Sequence, residues 1–79
     1  MITVYAIYDK LLDQIYVGMT NNLERRVGEH KRGQSFYTRQ FKDFKLIYKE
    51  SFENYTEGRK KEKYLKQGAG KEFLRTLIK

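Results

Sequence analysis

The sequence predicts an α+β fold: a three-stranded, mostly antiparallel sheet flanked by helices, in the order β-β-α-β-α-α. Three observations lead there. Two short runs rich in β-branched and aromatic residues lie close together near the N-terminus, and a third lies mid-chain. Two stretches of helical periodicity each begin with an Asn followed three residues later by a Glu. The 79 residues contain no proline, no internal repeat and no low-complexity tract, which leaves room for one domain, residues 1–79.

Met1 to Tyr8 contains ITVYAIY and reads as the first strand. Asp9 to Gln14 is polar enough for a turn, and Ile15 to Met19 (IYVGM) is the second strand, so the pair forms a hairpin. Asn21 and Glu24 have capping-box spacing and open a helix to about Lys31, with Gly33 as its stop. Gln34 to Asp43 is a basic loop carrying aromatic residues, and Lys45 to Ser51 (KLIYKES) is the third strand. Asn54 with Glu57 caps a second helix, which runs to Gln67 and ends at Gly68. Gly70 starts a short third helix with Phe73, Leu74 and Leu77 on its inner side.

Seventeen Lys and Arg against ten Asp and Glu leave a net charge of +7, and the pI is near 9.7. That balance favours a polyanionic partner, because each neutralised phosphate releases condensed counterions. A basic surface kept for solubility has the same count, so charge alone does not decide. Cysteine is absent, which excludes disulfides and thiolate-metal clusters. No apolar run approaches the roughly 20 residues that span a bilayer, and the N-terminus lacks the charged-then-apolar order of a signal peptide. The expectation is a cytoplasmic protein with no membrane partner.

Helical geometry singles out the polar candidates. On the first helix Leu23 and Val27 define the buried stripe; Arg26 and His30 fall beside it, one turn apart, while Glu24, Arg25 and Gly28 point away. Packing alone would explain both, with the Arg26 methylenes on the sheet and His30 satisfying a core polar group. On the second helix Tyr55, Gly58 and Leu65 form the inward stripe, and Glu62 lies within that arc. A desolvated carboxylate must be paired, hydrogen-bonded or bound to metal. Position leaves an ion pair with Arg26 or Lys66 and a hard-cation ligand equally open. Of the seven tyrosines, Tyr5 and Tyr16 sit in paired strands where their rings can pack. Tyr37 offers a ring to stack a base, whereas Tyr48 and Tyr64 read as packing residues.

Thr3-Val4-Tyr5 followed by Tyr16-Val17-Gly18, with the tyrosines eleven positions apart, resembles the paired motifs that name the GIY-YIG nucleases. The resemblance continues through YVGMTNNLERRVGEH, where Arg26 lies ten residues past Tyr16 and His30 follows. It resumes at RKKEKYLK, where Glu62 matches the family's metal-binding glutamate, and SFYTRQF and KLIYKES resemble the intervening segments of small single-domain members. Nearly the whole chain is covered. The first motif reads TVY rather than GIY, and no asparagine follows Glu62, as one does in several members.

The resemblance implies a compact GIY-YIG domain and a metal-dependent endonuclease that hydrolyses DNA phosphodiester bonds. It also implies low sequence specificity or selectivity for a branched or single-stranded structure, in repair or recombination. By the same resemblance, Glu62 holds one Mg²⁺ or Mn²⁺, and Arg26 binds the non-bridging oxygens. Tyr5 or Tyr16 takes the proton of the attacking water, its phenol lowered towards neutrality by the cation and Arg26, and His30 orients or relays that proton. Lys31, Arg32, Tyr37, Arg39 and Lys42 are the expected DNA contacts. Two alternatives stand beside this reading: a weak or inactive module that holds nucleic acid through the same cations, and an interaction domain whose basic surface meets an acidic protein.

Overall fold

A nearly continuous run of apolar and aromatic side chains suits the N-terminal segment to the middle of a sheet, where both faces are covered. In the computed structural model, which describes residues 1–78, strand β1 (Ile2–Asp9) lies at the centre. It pairs antiparallel with β2 (Gln14–Thr20) on one side and β3 (Phe44–Phe52) on the other, giving the order β2-β1-β3. Both faces of β1 are covered, and Val4, Tyr5, Ala6 and Ile7 are all fully buried. The hairpin closes through a turn in which Asp13 takes a φ of 52°, a left-handed conformation that a short polar side chain tolerates. A register shift between Ala6 and Ile7 gives β3 an extra residue, a β-bulge.

Three helices complete the order β-β-α-β-α-α: α1 (Leu23–Lys31), α2 (Tyr55–Leu65) and α3 (Gly68–Thr76). One face of the sheet presents Val4, Ala6 and Val17 to Leu65 of α2 and Leu74 of α3, with Ile15, Met19, Phe52 and Leu77 around them. Full burial of such side chains contributes about 1.5–3 kcal/mol each, so this face is the main apolar core. On the other face Tyr5 and Ile7 meet Phe41 from the 34–43 loop, with Tyr16, Leu23 and Phe44 beside them. Gly58 lets α2 cross the sheet closely: a Cβ there would stand 2.9 Å from Ile2 Cγ2 and 3.2 Å from Met19 Sδ. No helix among the described residues is long and apolar enough to cross a membrane.

Several sequence expectations shift. The cap of α1 is Asn22, not Asn21: its side chain accepts from Arg25 N at 3.1 Å, while Thr20 Oγ1 accepts from Asn22 N at 3.0 Å. Arg25 rather than Glu24 therefore stands three residues past the cap, and no reciprocal box forms. Gly33 does follow the helix at a φ of 73°, its N–H bonded to His30 O. Asn54 caps α2 as expected, accepting from Glu57 N at 2.9 Å. That helix ends at Leu65 rather than Gln67, and Gly68 is the first residue of α3 instead of a stop.

The buried stripes move as well. His30 is the buried residue of α1, whereas Leu23 and Val27 are only partly covered. The 34–43 loop folds back over the last turn of α1, so burial falls there and not at its start. Tyr55 is exposed at the first position of α2, and the inward row is Gly58, Glu62 and Leu65. Phe73 leans outward, edge-on to Tyr48 at 5.9 Å, leaving Leu74 as the buried residue of that turn. Tyr64 is exposed, with the Lys61 ammonium 5.4 Å above its ring, rather than packed inside.

Candidate active site

The hairpin register builds one side of the site. Tyr5 stands opposite Gly18 and Ile7 opposite Tyr16, so both tyrosines project from the face covered by α1 and the loop. A Cβ on residue 18 would lie 2.5 Å from the Tyr5 hydroxyl and 2.9 Å from Tyr16 Cε2. Gly18 is thus the floor across which the Tyr5 ring lies, which is the physical reason for a glycine in the second motif.

From there a buried polar chain runs outward. The Tyr5 hydroxyl meets His30 Nε2 at 2.7 Å, and His30 Nδ1 meets Thr38 Oγ1 at 2.5 Å. All three residues are fully buried. Burial drags the His30 imidazole down to about 4, and the Arg26 charge pushes the same way. The ring is therefore neutral near pH 7, with one N–H and one acceptor, and the chain of bonds has a direction. Burial likewise pushes the Tyr5 phenol up to about 12, with Tyr16 adding to the rise and Arg26 opposing it. Sealed from solvent in the central strand, the Tyr5 phenol is thus held up by burial against the pull of Arg26.

Tyr16 differs by being only partly buried, on the edge strand. Its ring lies 6.3 Å from Tyr5, 5.2 Å and edge-on to His30, and 6.4 Å from Tyr37 in a stacked arrangement. Arg26, also partly buried, donates from Nη1 to Glu29 Oε1 at 2.8 Å. That bond comes first in raising the guanidinium pKa, and the nearby hydroxyls of Tyr16 and Tyr5 act in the same direction. Tyr5, Tyr16, Arg26 and His30 are thus brought together.

Glu62 lies on α2, in the layer on the other side of the sheet. It is 7% exposed, and its two oxygens accept from Arg59 Nη1 at 3.1 Å and Lys66 Nζ at 3.3 Å. Lys66 is the expected partner; Arg59 was not foreseen, and Arg26 pairs with Glu29 instead. Lys66 also lines an open groove of about 630 Å³ with Tyr16, Val17, Tyr37, Lys71 and Leu74. That groove follows β2 and links the tyrosine side to the neighbourhood of Glu62. Among the described residues no three His, Cys, Asp or Glu side chains converge as a metal cage. A single carboxylate still fits a Mg²⁺-like ion, which binds through one or two carboxylates and takes its other ligands from water and substrate phosphate.

The expected DNA contacts are all exposed and spread over the same side as α1. Lys31 and Arg32 stand at the end of that helix, and Lys42 lies near the end of the loop. Arg39 places its guanidinium 5.0 Å over the Phe36 ring, and Tyr37 stacks on Tyr16. The loop is tied down by Asp9, which ends β1 rather than opening the turn. Its buried carboxylate accepts the N–H groups of Leu12, Lys42 and Asp43 at 2.9, 3.0 and 2.9 Å. Burial alone would raise its pKa, and those bonds more than offset that, leaving it below the ordinary value. Thr38 and Lys71 carry no signal in the sequence. A strand-end Asp before a polar turn is a readable anchor signal. Nothing in the sequence marked Thr38 as the partner of a histidine eight residues earlier.

The family model of the GIY-YIG catalytic domain matches residues 1–74. The chain belongs to the GIY-YIG family. GIY-YIG domains are nuclease domains that act on DNA and generally use divalent metal ions. Among relatives, a UPF0213 protein (CPE1444) of Clostridium perfringens is 43% identical over 56 residues, covering 70% of this chain and 60% of the relative. A UPF0213 protein from the ldhD 5' region of Pediococcus acidilactici is 39% identical over 66 residues, covering 80% of this chain and 67% of the relative. The similarity thus spans about three fifths to two thirds of these GIY-YIG relatives' lengths. No solved structure gives a significant match.

Proposed function

We propose that this chain is a GIY-YIG endonuclease, hydrolysing DNA phosphodiester bonds with Tyr16 as the general base. The observation that carries this choice is the contrast between two phenols: Tyr16 opens onto the groove, whereas the Tyr5 hydroxyl is fully buried against His30. A base must reach the proton it abstracts, directly or through one water. Tyr16 takes the proton of the attacking water, and Arg26, facing that hydroxyl, stabilises the phenolate and the charge growing on the phosphate. Glu62 would hold a Mg²⁺ or Mn²⁺ ion, which would supply Lewis acidity towards the scissile phosphate. Tyr5, His30 and Thr38 act as positioning residues, bracing the wall against which Tyr16 rests. Lys31, Arg32, Arg39 and Lys42 hold backbone phosphates, which orient the substrate without reading sequence.

A second reading, a module that binds DNA without cutting it, draws on one observation: both oxygens of Glu62 are already taken by Arg59 and Lys66. Incubation with linear, branched and single-stranded DNA separates the two. Cleavage is expected with Mg²⁺ or Mn²⁺ and not with chelator. Glu62→Gln is expected to remove it by orders of magnitude while circular dichroism stays native. Binding with no metal-dependent cleavage on any substrate would instead establish the non-cutting module.

A further inference from the structure

Two aromatic rings stand in water beside the groove. Phe36 is 71% exposed and Tyr37 76%, side by side in the 34–43 loop. They are nonetheless held in place. The rings pack edge-on to each other at 5.4 Å, the inner face of Tyr37 stacks on Tyr16, and Arg39 lies over Phe36. The loop beneath them is anchored by buried Ser35, Thr38 and Phe41, and by the Asp9 carboxylate at its far end. Across the groove stand Lys66, at the end of α2, and Lys71 of α3. Lys71 has no ion-pair partner among the described residues.

We propose that the outer face of Tyr37 is a stacking platform for an unpaired base, with Phe36 standing edge-on as the wall beside it and Lys66 and Lys71 taking the adjoining phosphates of the same strand. A base inside a duplex has both faces covered by its neighbours, so a protein ring gains a partner only where a base is unstacked. Every base has a π face, which makes such stacking tolerant of sequence, and a cationic groove beside the rings is what a single strand needs to follow. The net charge of +7 fits a polyanionic occupant. Resting on the nuclease reading above, this assigns the substrate class: DNA with an unpaired strand next to the scissile bond, with Tyr37 delivering it to Tyr16.

The test uses the full chain in chelator, so that binding is measured without cleavage. A short oligonucleotide carries 2-aminopurine, whose emission is quenched on stacking, and is presented single-stranded or within a duplex. Quenching and tighter binding are expected for the single strand. Phe36→Ala and Tyr37→Ala should each weaken single-strand binding by about tenfold and relieve quenching, while leaving duplex binding unchanged. Both side chains are exposed, so neither change threatens the fold, and Tyr37→Phe should restore wild-type behaviour. Lys71→Gln should reduce the salt slope for the single strand by about 0.7. Equal affinity for duplex and single strand, or quenching that survives both alanine changes, would overturn the platform. Stacking without cleavage under any metal would instead leave the platform standing and remove the nuclease reading.

Discussion

The two faces of the sheet share the central strand and bury its side chains by different physics. On the α2 and α3 side, Val4, Ala6 and Val17 meet Leu65 and Leu74, and stability scales with apolar area removed from water. On the α1 and loop side the buried set includes Tyr5, His30, Thr38 and Asp9, each of which is hydrogen-bonded. No buried side-chain nitrogen or oxygen among the described residues lacks a partner. Such bonds contribute only about 1 kcal/mol net, yet leaving one half unpaired costs about 1–3 kcal/mol. The apolar face therefore carries the stability, and the polar face holds geometry. Glu62 is the exception, a buried carboxylate on the α2 side that is held by its own bonds to Arg59 and Lys66.

The largest effect that tests this division falls on the polar face. Tyr16→Phe keeps the ring and should lower the cleavage rate roughly 10²–10⁴-fold, about 3–5 kcal/mol of barrier, with the thermal midpoint nearly unchanged. Tyr5→Phe should do the converse, losing less rate but about 1–3 kcal/mol of stability, because His30 Nε2 is left unpaired. Single-turnover rates beside urea melts separate the two, and a Tyr5 variant with the larger rate loss would move the base to the buried position.

Next comes the apolar face. Leu65→Ala should destabilise the chain by about 2–5 kcal/mol in urea unfolding, through lost burial and the cavity left behind. The rate per folded molecule should hardly change. A rate loss matching that of Tyr16→Phe would show that the two faces are not separable.

The smallest effect is the pH response of His30. Its folded-state value of about 4 lies below the ordinary 6.5, so the unfolded chain binds the extra proton first. The stabilisation tied to the neutral ring is intact above pH 6.5 and is lost as pH falls towards 4, by no more than about 3 kcal/mol. Urea midpoints across that window should fall for the wild type and flatten for His30→Gln. Equal slopes for both chains would assign the acid sensitivity to other groups.

Sequence alone determined the elements and the cast of polar residues. Runs rich in β-branched and aromatic residues located the strands, and Asn54 with Glu57 located a helix start because capping is local chemistry between residues three apart. The resemblance to the GIY-YIG motifs singled out Tyr5, Tyr16, Arg26, His30 and Glu62 as candidates, because sequence order and separation can be compared without knowing the surroundings. What tertiary structure alone decided was exposure. The two tyrosine motifs look equivalent in the sequence, but strand order puts β1 at the centre and β2 at the edge, sealing one phenol and opening the other. It also decided partners distant along the chain: Thr38 for His30, and Asp9 for the loop. Periodicity on α1 pointed to Leu23 and Val27 as the buried stripe, and the returning loop covered His30 instead. Burial is a property of what folds over a residue, and no local pattern records what will arrive there.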